Sequence, residues 1–191
     1  MFSRRQVLAL GAAFGASAPT ALLAHAPSDY VLPPEFMPRE VELDQAFPAG
    51  ELHVYPEQFA LYLTHGGKAA RRYAVGVGQA HLYHDGEFVV GDKQEWPRWI
   101  PTQEMIRRNP EQYAQYADGV PGGPGNPVGA RALYLYQNDR DTYLRIHGTS
   151  QPWTIGQAVS NGCARLVNDQ IVELYEMVEV GARVVLHPRA T

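Results

Sequence analysis

The chain has 191 residues, with 16 Lys and Arg against 20 Asp and Glu, a net charge of −4, and a single cysteine, Cys163. The acidic balance argues against a basic nucleic-acid surface, and one cysteine excludes an internal disulfide. Stability must therefore come from a packed core, for which this length suffices in one domain.

Residues 1–26 read as an export signal. Arg4 and Arg5 form a twin-arginine pair, an Ala/Leu/Gly stretch follows, and Ala24-His25-Ala26 supplies a small-residue end. The apolar stretch is short and rich in Ala and Gly, which argues against a transmembrane anchor. The expected location is the periplasm, with no anchor left after cleavage. Residues 27–50 carry five prolines among scattered acids and read as an extended lead-in or linker.

From residue 51 the pattern is mainly strand. "ELHVY" (51–55) and "FALYLT" (59–64) are aromatic and β-branched, and "HGGK" (65–68) reads as a turn answered by "RYAVGV" (72–77). "GEFVVGD" (86–92), "ALYLY" (132–136), "TYLRIH" (142–147) and "ARVVLH" (182–187) follow as strands, with residues 138–141 turning the middle pair. Asn109-Pro110 starts a short helix that ends by Gly119. Ile171, Leu174, Tyr175 and Val178 recur at helical spacing, predicting a second helix from Asn168. "PGGPGNPVG" (121–129) is too rich in Pro and Gly for either element. The fold class expected is a mainly β domain with one or two short helices.

The chemistry centres on "HGT" (147–149) and "SNGCARL" (160–166). A thiol becomes a nucleophile when a histidine or a local positive potential favours the thiolate. His147 ends a predicted strand, and the loop to Cys163 is long enough to return to it. Glycine beside the cysteine leaves its main-chain N–H groups open to a substrate carbonyl. His81, His84 and Asp85 could be taken for a metal site, but no further ligand cluster supports it, so none is expected. Trp96, Trp99 and Trp153 are candidates for a cleft wall, with core or rim packing as the alternative.

"HGTSQPWTIGQAVSNGCARL" resembles the signature of the L,D-transpeptidase (YkuD-like) catalytic domain. "YAVGVGQ", "GEFVV", "WIPTQEMIRR" and "GGPGNPVGARALYL" resemble further family segments in the same order, so the likeness spans about residues 52–187. The resemblance implies a bent mixed sheet of β-sandwich type over residues 51–188, and no cofactor. It implies Cys163 as the acylated nucleophile, His147 as its base, and Gly148 as the residue whose carbonyl orients the imidazole. Gly162 and Cys163 would offer oxyanion-hole N–H groups. Arg165 would hold the site or a substrate carboxylate, Ser160 would be a supporting hydroxyl, and Asn161 stands where many members carry histidine. The chain also departs from the family at residues 82–86, which replace a T-P-x-G turn on one pocket wall.

The implied reaction is attack at the third residue of a tetrapeptide stem of peptidoglycan, with loss of D-alanine, then transfer to an amine. The acceptor would be a neighbouring stem, an outer-membrane protein or water, and the enzyme a monomer acylated by carbapenems. Two other classes compete. A different cysteine peptidase would use the dyad but lack the flanking segments, and a silent wall-binding module would have lost the dyad. If His147 meets Cys163 their protons are coupled, and acylation is expected to rise at lower pH than for an isolated thiol, because an imidazolium–thiolate pair supplies thiolate directly.

Overall fold

The structure, a computed structural model, describes residues 30–190. The expected signal, residues 1–26, lies outside them. Strands β1 (Arg39–Tyr55), β2 (Ala60–Ala74), β4 (Gly86–Glu95), β5 (Arg131–Gln137), β6 (Arg140–His147), β8 (Ala164–Arg165) and β9 (Arg183–Leu186) form one mixed sheet in the order β2-β1-β9-β4-β5-β6-β8. Strands β3 (Val77–Gly78) and β7 (Ala158–Ser160) make a separate parallel pair. The mainly β expectation holds.

Two local readings change. The Gly66-Gly67 pair does not turn the chain; β2 runs through it. Both glycines take positive φ, and the register with β1 jumps there from Glu42 opposite Ala69 to Phe47 opposite Gly67. Left-handed glycine serves a bulge as well as a turn, and here it serves a bulge. The hairpin turn lies instead at Pro56–Gln58, a 3₁₀ turn closed by left-handed Phe59. Residues 39–50, expected as lead-in or linker, are extended as read but belong to β1. Arg39 to Glu42 pair with Arg72 to Ala69 of β2.

The β5–β6 hairpin turns at Asn138-Asp139 with φ of 51° and 60°, the two-residue geometry that matches strand twist. Helix α2 (Pro110–Tyr113) is capped by the Asn109 side chain on the Gln112 N–H. Helix α1 (Gln103–Arg108) was not expected; the Thr102 hydroxyl caps it at the Met105 N–H. Helix α3 (Asn168–Met177) buries Ile171 and Leu174 in the core that includes Leu133 and Leu135 of β5. Lys93 of β4 donates to the Tyr175 and Val178 carbonyls at its C-terminal end, both at 2.6 Å, where cationic donors are favoured. No helix among the described residues is long and apolar enough to cross a membrane.

Candidate active site

The short strand β8 builds the site. It pairs in parallel with the end of β6, with Ile146 opposite Ala164 and His147 opposite Arg165. Ile146 and Ala164 point into the core. By alternation Arg145, His147, Cys163 and Arg165 share the other face. The 147–163 loop thus returns to the histidine strand, as the spacing predicts. On its way it forms a 3₁₀ turn at Pro152–Thr154 and strand β7.

His147 is buried, and its Nδ1 meets the Gly148 carbonyl at 2.5 Å. With that carbonyl accepting from Nδ1–H, the tautomer leaves Nε2 as the acceptor. Gly148 is required by packing. A Cβ there would lie 2.4 Å from Asn168 Oδ1 and 3.0 Å from the Ala130 nitrogen, two atoms already hydrogen-bonded at 2.9 Å. Gly129 lines the same slot, its own Cβ position 2.3 Å from Asn168 Oδ1. Sequence reasoning missed Asn168 as a site residue, since its visible role was to begin α3.

Cys163 is half-buried. Its Sγ lies 3.9 Å from the Tyr143 carbonyl, and no hydrogen bond joins it to the imidazole among the described residues. Ser160 is buried, and its hydroxyl donates to the Cys163 carbonyl at 2.6 Å while accepting the Gly162 N–H at 3.2 Å. That contact engages one of the two N–H groups expected to be free for an oxyanion. Gly162 takes φ +125°, and a Cβ there would sit 2.9 Å from the Leu82 carbonyl. Asn161 spans the loop and the two short helices, accepting from Arg108 at 2.5 Å and donating to the Tyr113 hydroxyl at 2.9 Å.

Electrostatics correct one expectation. Burial first, and then the Arg165 and Arg145 charges, push His147 down to about 3, against the Gly148 carbonyl that favours its charged form. Burial likewise pushes the Cys163 thiol up, opposed by the Arg145 main chain and guanidinium and by Arg165. Both directions run against the expected imidazolium–thiolate pair, and desolvation is the largest cause at each group. Arg165, also lowered by burial, has its Nε buried with no acceptor among the described residues.

Residues 50–186 match the model of the L,D-transpeptidase catalytic domain, YkuD. This chain belongs to that family. The transpeptidase domain is 33% identical over 150 residues to the Salmonella typhimurium protein described as "Probable L,D-transpeptidase ErfK/SrfK", covering 78% of this chain and 47% of that one. The chain thus spans about half the length of the curated relatives it matches. A Brucella melitensis crystal structure described as "Probable carnitine operon oxidoreductase caia" is 43% identical, with a TM-score of 0.56, covering 84% of this chain and 96% of that chain. The Enterococcus faecium L,D-transpeptidase C442S mutant shares the fold at 18% identity and a TM-score of 0.52, over 76% of this chain and 50% of that chain.

Around the transpeptidase motif the tryptophans separate. Trp99 packs edge-on against Tyr113 and Tyr116 of the 110–116 segment. Trp96 and Trp153 are each more than a third exposed. Gly148→Ala tests the glycine slot. Displacing Asn168 should cost about 1–3 kcal/mol in urea unfolding, and rotation of the 148 carbonyl should change the alkylation rate of the Cys163 thiol beyond what the lost stability explains. An alanine variant with wild-type stability and rate would show that the slot yields freely.

Proposed function

We propose that this chain is a cysteine-dependent L,D-transpeptidase that acts on peptidoglycan stem peptides in the periplasm. What carries the reading is the β6–β8 pairing, with Cys163 and His147 on one face and the imidazole held through Nδ1. The family supplies the reaction class. The twin-arginine pair at Arg4 and Arg5 supports the compartment.

In the first step Sγ attacks the carbonyl carbon of the third stem residue while His147 Nε2 takes the thiol proton. A neutral imidazole is the form able to do this. The oxyanion is met by the Cys163 N–H, since the Gly162 N–H is engaged by Ser160. Collapse breaks the C–N bond, and His147 returns the proton to the departing D-alanine amine, leaving a thioester. In the second step an acceptor amine attacks the thioester, His147 takes its proton, and as the C–S bond breaks His147 returns that proton to the departing sulfur, restoring the thiol. Arg165, with an unengaged buried Nε, is suited to a substrate carboxylate. The acceptor is a neighbouring stem, giving a cross-link between third residues, or an amine of an outer-membrane protein. With water the product is a shortened stem. No cofactor enters any step.

The test uses sacculi rich in tetrapeptide stems, incubated with purified protein and analysed as muropeptides by mass spectrometry. D-alanine release with new dimers joined through third residues is the expected result. Release without dimers would assign the acceptor to water or protein. No release from sacculi or soluble tetrapeptides would overturn the reading.

A further inference from the structure

One residue beside the nucleophile is held in an unfavourable conformation. Tyr143, in the middle of β6, has φ +62° and a side chain 69% exposed. A left-handed tyrosine costs about 1–2 kcal/mol and persists only where neighbours enforce it. The strand bulges here: Tyr134 pairs with Arg145 and Tyr136 with Asp141, so three residues face Leu135. The kink sends the ring to solvent and turns the carbonyl toward Cys163 Sγ at 3.9 Å.

Asp141 enforces it. Its Oδ1 accepts the Tyr143 N–H at 2.8 Å. The same carboxylate binds both Arg145 terminal nitrogens, at 2.6 and 2.8 Å. That guanidinium also lies over the Tyr134 ring, 3.9 Å from its centroid, and donates to the Leu144 carbonyl at 2.8 Å. Arg145 sits one step before the Ile146–Ala164 pair, and its main chain and its charge both act on the Cys163 thiol. One carboxylate therefore fixes both the carbonyl against the thiol and a cation that acts on it.

We propose that Asp141 is a positioning residue for the nucleophile, acting through the Tyr143 turn and the Arg145 guanidinium to set where Cys163 ionises and attacks. The inference rests on Cys163 being the nucleophile of the proposed reaction. The other charged group acting on the thiol is Arg165 of β8, with Tyr113 of α2 reaching Arg165, while His147 of β6 shares that face by register. None of these touches Asp141.

The sign of one measurement separates positioning from proximity. As a mere nearby negative charge, Asp141 disfavours the thiolate, so its removal would lower the pH midpoint of thiol reactivity. As the anchor of Arg145, its removal frees the guanidinium toward solvent and raises the midpoint. The experiment is the rate of iodoacetamide alkylation of Cys163 against pH in the full chain. It uses no peptide, so its outcome is independent of whether stem peptides are the substrate. Asp141→Ala should raise the midpoint by about one pH unit. In acyl transfer it should lower kcat about tenfold, leaving KM within about twofold. Asp141→Asn keeps one oxygen for Tyr143 and Arg145 and should lie between the alanine variant and wild type. Should the alanine variant fail to fold, the asparagine variant decides alone, since a midpoint above wild type supports the proposal. A midpoint at or below wild type in the folded variant overturns it. Protein inert toward stem peptides but shifted in alkylation would instead remove the transpeptidase reading and leave the positioning role.

Discussion

Incubation with a carbapenem should add one drug mass to the intact protein, and Cys163→Ala should remove the adduct completely. The thiol attacks the lactam carbonyl, the ring C–N bond opens, and nothing leaves, so the gain equals the whole drug. Because this is the chain's one cysteine, the variant leaves no thiol to substitute. The pair also reports the resting state. Burial pushes the thiol up and the imidazole down, so wild type minus Cys163→Ala should show no thiolate absorbance near 240 nm at pH 7. An adduct persisting in the alanine variant would sink the nucleophile assignment, and a full thiolate signal at pH 7 would restore the ion pair.

His147→Ala should lower acylation at pH 7 by about 10²- to 10⁴-fold, the usual worth of a positioned base. The residual rate should climb with pH as hydroxide or water replaces Nε2, whereas wild type should hold a plateau through neutrality. Parallel profiles would reduce His147 to a packing residue. A stability effect accompanies it. The folded histidine titrates at about 3 against 6.5 when unfolded, so between those values the unfolded chain binds the extra proton. The stability contributed by neutral His147 is complete above pH 6.5 and is lost as the pH falls toward 3. At pH 5 the loss is about 2 kcal/mol. Urea midpoints at pH 5 and pH 7 should converge in the alanine variant, and an unchanged gap would assign the acid sensitivity to other groups.

The elements most legible in the sequence were those with local causes. Asn138-Asp139 had to turn, Asn109-Pro110 had to start a helix, and the Ile171–Leu174 spacing had to face a core. The motif around His147 and Cys163 was legible because its residue types and spacing carry the chemistry. What escaped was set by distant partners. Gly66-Gly67 supply positive φ equally well to a turn or a bulge, and only β1 across the ladder decides. Residues 39–50 are mostly exposed, so no buried alternation marked them as strand. Asp141 read as a turn residue, because nothing local tells that its carboxylate meets Arg145 four residues on. The direction in which burial pushes the two groups was not legible for a related reason: burial is a property of the assembled sheet, and spacing does not report it.

The link from Asn161 to Arg108 and Tyr113 bears on the catalytic loop. The residue two positions before the nucleophile is tied to both α1 and α2, so the catalytic loop and that helical segment share one mechanical unit. In the proposed reaction, a displacement of these helices would therefore carry over to the backbone bearing Sγ.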